Sequence, residues 1–349
     1  ALILFGWDAA LRYLYPEPAK PAAQVAATAS GSPAPAASDE PKHTREGGLM
    51  NAADIAAEAR DLKSALNPAS RVAIDAPGLT GSINLVGGMV DDLSAKRHTA
   101  SLEKNSGPQR IFSPAGTPAQ HYAQFGWVSD GSLPAAALPS ATTVWTAPAG
   151  ARLTPQSPVT LTWANGQGQT FTLTYAIDAD YMLTVTQGVT NAGTAPVAVK
   201  PFATIARTDK TASLDSFNVH SGPFGAFDEA VSFEPDYSDL TEKGEIASPG
   251  KVNWLGFTDV YWMSTLIPSK DGGTSAFRAL GGGLFRADVI YPQSGVAPGQ
   301  GLSRETRLFA GAKESMVLDR YEESGIPRFG LAIDWGWFRW FEKPIFLLL

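Results

Sequence analysis

Thr170-Phe171-Thr172-Leu173-Thr174-Tyr175-Ala176-Ile177 puts a large apolar or aromatic side chain at every odd position and threonine or alanine between them. A period of two is the signature of a pleated strand with one buried face. Asp178-Ala179-Asp180 then supplies a turn, and Tyr181, Leu183, Val185 and Val189 keep the odd face apolar against Thr184, Thr186 and Thr190. The two runs read as an antiparallel hairpin. Just upstream, Val159–Trp163 and the turn Asn165-Gly166-Gln167-Gly168 lead into the same strand and add a third.

Working outward, the period of two holds from Arg71 to about Lys313. Further short strands are expected at Ser82–Val86, Trp254–Leu266 and Ala276–Val289, separated by Gly, Pro, Asn and Asp turns. About 240 residues of antiparallel strands must close or cover their edges, so a large sandwich is the natural architecture. One helix is expected before it. Asn51 caps, Asp54 stands where a capping-box acid stands, and Ile55, Ala59, Leu62 and Leu66 share a face until Asn67-Pro68 stops the run. Between residues 16 and 41 lie six Pro and nine Ala, a composition that buries too little apolar surface to fold and reads as an extended tether.

Composition removes several function classes. With 44% hydrophobic and 10% aromatic residues, the 349-residue chain has the material for a core. Lys and Arg number 27 against 34 Asp and Glu, a net charge of −7, so no basic field invites nucleic acid. The absence of cysteine excludes a disulfide scaffold, a thiolate metal site and a cysteine nucleophile. Catalytic motifs are equally sparse. There is no nucleophile elbow, phosphate loop or paired-histidine zinc helix, and Gly281-Gly282-Gly283 precedes a strand rather than a helix, as a turn does. His43, His98, His121 and His220 share no ligand spacing, so neither a metal nor a cofactor is expected. Asp228, Glu229, Glu234, Asp236 and Asp239 are the local concentration of carboxylates. Two carboxylates at a suitable distance perform glycoside chemistry, but a solvated acidic loop is the simpler reading. Trp163, Tyr175, Trp254 and Trp262 are read first as core, with the lining of a sugar- or peptide-binding groove as the alternative.

The ends differ from the middle. Ala1–Leu14 is apolar but for Asp8 and Arg12, and shorter than the roughly 20 residues a span needs. A secretory apolar core, a buried helix and the tail of a transmembrane helix all fit it; the tether that follows favours the last. At the other end Trp335-Gly336-Trp337-Phe338-Arg339-Trp340-Phe341 packs five aromatics into seven residues before Glu342-Lys343-Pro344 and an apolar run. Indole rings suit the headgroup layer, with cationic side chains reaching to phosphates. Trp335, Trp337, Phe338, Arg339, Trp340, Phe341 and Lys343 are therefore the expected membrane-interface residues.

Taken in order, these segments resemble a family. Leu4-Phe5-Gly6-Trp7, the tether, Leu79–Gly88 with Val90-Asp91-Asp92-Leu93, Phe112–Gly116 with Phe125-Gly126-Trp127, and Trp163–Gly168 with Asp180-Tyr181-Met182 come first. Trp254-Leu255-Gly256, Tyr261–Pro268, Leu308–Glu314 and Ile333–Phe338 with Lys343-Pro344 follow. Their order is similar to the N-terminal part of the bacterial YidC membrane protein insertases, in the long form with a large periplasmic domain.

The resemblance implies an all-β fold: a galactose-mutarotase-like antiparallel β-supersandwich flanked by membrane-associated helical segments. It implies the end of a first transmembrane helix over 1–15, a tether and short helix over 16–69, and the sandwich over 70–318. A linker and interfacial amphipathic helix would cover 319–342, and a second transmembrane helix would start at 343–349. The implied function is non-enzymatic: assisting insertion and folding of inner-membrane proteins, alone or with the Sec translocon. The implied partners are nascent inner-membrane proteins, Sec accessory subunits and the lipid bilayer, at the periplasmic side of the inner membrane. The family's groove and its essential arginine belong to a later bundle, and neither Arg328 nor Arg339 matches that residue. The alternative reading is a membrane-anchored periplasmic carbohydrate-binding or sugar-modifying domain.

Overall fold

A computed structural model describes residues 48–99, 107–213, 219–269 and 272–334. The expected tether, the apolar N-terminal segment and the aromatic stretch from Trp335 lie outside these residues. The strands are β1 (Arg71–Asp75), β2 (Leu79–Asn84), β3 (Met89–Thr99), β4 (Pro108–Phe112), β5 (His121–Ser129), β6 (Arg152–Leu153), β7 (Val159–Ala164), β8 (Gln169–Ile177), β9 (Met182–Asn191) and β10 (Val197–Thr208). They continue as β11 (Gly222–Phe227), β12 (Ala230–Ser232), β13 (Glu245–Ala247), β14 (Val252–Thr258), β15 (Trp262–Pro268), β16 (Thr274–Gly281), β17 (Leu284–Ile290), β18 (Ser294–Val296) and β19 (Gly301–Ala312). Among the described residues three α-helices accompany them: α1 (Ala52–Ala65), α2 (Tyr237–Lys243) and α3 (Ser315–Glu323).

Two sheets form. One runs β13-β16-β17-β10-β5-β3-β2-β1-β6, with β18 also on β10 and β4 also on β3; the other runs β12-β11-β14-β15-β19-β9-β8-β7. Pairing is antiparallel except between β1 and β6. The expected large antiparallel sandwich is what forms. On β8 the odd residues are buried and the even threonines half-buried, and β9 continues the pattern. Phe171 and Tyr175 meet Trp127 and Phe125 of the opposite sheet, with Trp127 5.1 Å from Phe171 and Phe125 6.4 Å from Tyr175. Burying each such side chain contributes about 1.5–3 kcal/mol. Polar ties cross the same interior: the Tyr175 hydroxyl donates to the Gly88 carbonyl (2.6 Å), and Gln187 Nε2 donates to the Gly126 carbonyl (2.7 Å).

Two departures from ideal strands have physical reasons. Pro201 lies inside β10, a central strand, where a missing N–H usually costs a ladder bond. Its carbonyl accepts from the Tyr291 amide, so its nitrogen faces the same side. On that side β18 pairs Val197–Val199 and β17 begins at Phe202, so the proline falls in the gap between two partners. On β3 the register to β2 shifts between Ser82 and Ile83, leaving Asp91 as the extra residue of a bulge. Both Asp91 and Asp92 are thereby buried. Arg71 pairs with Asp91, and Arg110 Nη1 with Asp92 at 2.6 Å.

Element boundaries need corrections. The second strand is Leu79–Asn84 rather than Ser82–Val86. Trp254–Leu266 is not one strand but β14 and β15, turned at Asp259, whose Oδ1 accepts the Val260 amide at 2.9 Å. Ala276–Val289 is likewise β16 and β17, joined through the expected triple-glycine turn. Helix α1 is capped by Asn51, which accepts from the Ala53 amide (2.8 Å), but its face is rotated from the expected one. Ile55 is 49% exposed and Glu58 is buried. Contacts explain this: Asp54 pairs with Lys210 (3.1 Å), and Glu58 Oε2 accepts the Ala119 amide (2.9 Å).

Candidate functional site

The chain reaches Asp334 through a segment seated on one end of the sandwich. At the close of β19, the Lys313 amide donates to the Tyr261 carbonyl (2.9 Å), extending the β15–β19 ladder by one pair. Glu314 is the N-cap of α3, yet its carboxylate does not cap. It accepts instead from the Tyr181 hydroxyl and from His98 Nε2 (2.9 Å). Burial pushes this carboxyl up, but hydrogen bonds from Tyr181 and His98 and the Arg97 charge hold it below its ordinary value. Burial, reinforced by the Glu314 bond, pushes the Tyr181 hydroxyl well up, so it remains a proton donor.

Beyond α3 the backbone turns at Gly325 (φ 101°), and the Pro327 carbonyl accepts from Trp254 Nε1 at 3.0 Å. Arg328, in the left-handed conformation, pairs with Glu229. A 3₁₀ turn over Phe329–Ala332 follows, with the Gly330 amide on Glu322 Oε2 (2.7 Å). A Cβ on Gly330 would lie 2.6 Å from Asp319 Oδ1, so a larger residue here would push the Asp319 carboxylate aside. Val317, Leu318, Ile326, Phe329 and Ala332 belong to the sandwich core. Phe329 stands 5.3 Å from Phe309, 5.6 Å from Trp254 and 6.0 Å from Tyr321. Residues 319–334, expected as the start of a linker, are thus packed onto the sheet.

A polar rim surrounds that aromatic seat. The Tyr321 hydroxyl donates to Asp178 (2.6 Å) and accepts the Tyr181 amide (3.2 Å). Asp180 takes Arg97 at 2.9 Å and Arg320 at 3.2 Å, and the Arg97 guanidinium lies 4.6 Å from the Tyr181 ring centre. The β8–β9 turn, the end of β3 and α3 are therefore joined by charge-assisted bonds. This turn was legible as a turn; its role as a socket for α3 was not.

Sequence reasoning also missed a second constellation, since its members are far apart in the chain. At the end of β10, Arg207 donates to the Thr258 carbonyl (2.9 Å) and the Thr211 carbonyl (3.1 Å), and pairs with Asp259. Lys313 Nζ donates to Thr258 Oγ1 (3.1 Å). His121 Nε2 meets Ser264 Oγ at 2.8 Å, and His220 Nε2 donates to the Pro223 carbonyl at 2.7 Å. Burial, then the Arg207 charge, holds His121 well below its ordinary value; burial lowers His220. Burial pushes Asp259 up, but Arg207 outweighs it and keeps the carboxylate ionised. Burial brings Lys313 down to about 8, with Asp259 and Asp334 pulling the other way. Acid–base catalysis requires a poised group that a reactant reaches. Here Asp259, Arg207, His121 and Ser264 are buried and bonded to one another or to backbone. The cluster ties β10 to the β14–β15 turn.

Four of the five carboxylates singled out in the sequence have separate structural duties. Asp228 accepts the Lys251 amide (3.1 Å), Glu229 holds Arg328, and Asp236 with Asp239 forms the capping box of α2. Tyr175 and Trp254 are core, while Trp163 and Trp262 pack partly buried against it. Among the described residues no three of His, Asp and Glu gather to hold a metal ion, and no helix is long and apolar enough to cross a membrane. Trp335, Trp337, Phe338, Arg339, Trp340, Phe341 and Lys343 lie outside the described residues, immediately after the seated segment.

Fold and site define a class: an antiparallel β-sandwich scaffold carrying a seated C-terminal helix. Known proteins specify it further. A family profile described as the YidC periplasmic domain matches residues 71–348. A membrane protein insertase YidC from a Ruegeria species is 43% identical over 284 residues, covering 77% of this chain and 46% of that protein. That of Zymomonas mobilis is 35% identical over 361 residues, covering 100% and 58%. A galactose mutarotase related enzyme from Lactobacillus acidophilus has a similar solved structure at 8% identity, with a TM-score of 0.46 over 69% of this chain and 97% of that one. The chain belongs to the YidC family of membrane protein insertases. It spans about half the length of the curated relatives it matches.

Proposed function

We propose that this chain is the periplasmic portion of an inner-membrane insertase, a non-enzymatic scaffold that assists insertion and folding of membrane proteins, alone or with the Sec translocon. One observation carries the reading: residues 315–334 are locked onto the sandwich and lead directly into Trp335–Phe341. An element rigidly seated on the domain and continued by an interfacial aromatic segment fixes where the domain stands over the bilayer. A client span crossing the interface carries polar flanks whose transfer through hydrocarbon is costly. Lowering that barrier is assigned to the transmembrane part of the family; this chain supplies placement. Its partners on this reading are nascent inner-membrane proteins, Sec accessory subunits and lipid.

The sugar-modifying alternative would need an accessible carboxylate–histidine set. The duties of Asp228, Glu229, Asp236, Asp239 and Asp259 within the fold count against it. The test is a flexible Gly/Ser insertion after Asp334 in the full-length protein, with client insertion read by protease protection. The reading expects normal accumulation and reduced insertion. Unchanged insertion with the insertion in place contradicts it.

A further inference from the structure

Among the described residues, Met316 (73% exposed), Val144 (68%) and Tyr261 (63%) are the most exposed large apolar side chains. They fall at two opposite ends of the sandwich. Val144 bridges Val86, beside the start of β3 at Met89. Tyr261 and Met316 lie at the other end of that strand, where Arg97 and His98 meet Asp180 and Glu314. Nine residue steps of strand lead from Met89 to His98, about 30 Å.

Tyr261 and Met316 are neighbours through backbone: the Tyr261 carbonyl accepts the Lys313 amide, and Met316 lies in the first turn of α3, three residues on. Lys313 also feels the charge of Asp334, the last residue before the aromatic stretch. This exposed pair therefore flanks the point where the chain continues into Trp335–Leu349.

We propose that Tyr261 and Met316 form a second lipid contact, entering the headgroup–acyl boundary of the bilayer that takes residues 335–341. The sandwich then stands on the membrane with its β14–β15 turn and the start of α3 facing down. The inference rests on the interfacial reading of Trp335–Phe341 given above. Three considerations select a lipid surface as the occupant. The patch lies near Asp334, after which the most aromatic segment of the sequence begins; a tyrosine ring with its hydroxyl suits the headgroup layer; and both side chains are already solvent-exposed, so no rearrangement is needed to present them. Two contacts separated in sequence fix orientation, where one segment leaves the domain free to swivel.

Because the chain contains no cysteine, single-site labelling is clean. The full chain carrying Met316→Cys, Tyr261→Cys, Val144→Cys or Phe341→Cys is labelled with an environment-sensitive nitrobenzoxadiazole. Each is then titrated with vesicles of phosphatidylcholine and phosphatidylglycerol. The proposal expects brightening and a blue shift at 316, 261 and 341, and none at 144. Tyr261→Ser with Met316→Ser should weaken vesicle binding about tenfold with unchanged thermal unfolding. A response at 341 with 316 and 261 as dark as 144 overturns the proposal and leaves the interfacial reading standing. Silence at 341 overturns that reading and the proposal with it. Brightening at 316 on raising protein concentration without vesicles would mark a surface for a second copy, and also overturns it.

Discussion

Gly311 shows how closely single positions are specified. A Cβ there would stand 2.3 Å from the Tyr181 ring, the ring that carries the hydroxyl bonded to Glu314. Gly311→Ala should cost about 1–3 kcal/mol, read by denaturant unfolding; an unchanged midpoint would mean the ring is not seated as described. Lys313 offers a pH test. Its folded value of about 8 lies below its ordinary 10.5, so between those values the unfolded chain binds more protons and stability rises with pH. Wild type should gain about 1–3 kcal/mol relative to Lys313→Met on going from pH 8 to pH 10. Above pH 10 stability should fall, because burial holds the Tyr237 hydroxyl up to about 12 in the fold while the unfolded chain loses that proton near 10. His121 acts at the other extreme. Held neutral in the fold, it should make stability fall as pH drops below about 6.5, and stability that instead rises as the pH drops there would contradict the assignment.

At the scale of elements, the seat of α3 makes a sharp prediction. Phe329→Ala removes the ring that touches Phe309, Trp254 and Tyr321, a change costing about 3–5 kcal/mol in a packed core. The expected result is rapid proteolysis after Glu314 with the far-ultraviolet strand spectrum retained; equal resistance of variant and wild type would contradict the docked helix. Legibility varied with the locality of the cause. The hairpin over Gln169–Asn191 was readable because alternation and turn chemistry are local. The break between β14 and β15 was not, because Asp259-Val260-Tyr261 contains no glycine or proline and the turn depends on a side-chain bond from Asp259. The face of α1 was misread because Lys210 and the Ala119 amide, distant in sequence, select it over Ile55. Residues 319–334 read as linker for a similar reason. Ile326 and Phe329 are too sparse to show a period, and the rings that Phe329 meets lie on β14 and β19.

For the whole molecule, two sheets, a seated C-terminal helix and the aromatic sequence after it compose one argument about placement. Truncation gives a first check. A chain ending at Glu314 would uncover the apolar surface beneath Ile326 and Phe329 and should unfold at lower temperature and aggregate; one ending at Asp334 should be monomeric and strand-rich by circular dichroism. The central claim is that residues 315–334 are part of the sandwich rather than a free connection to the aromatic stretch that follows them in sequence. Amide hydrogen exchange tests it most directly. The account predicts protection at Val317, Leu318 and Gly330 comparable to that along β19, with loss of both together on global unfolding. Exchange at those amides as fast as in an unstructured peptide, with β19 still protected, would contradict it.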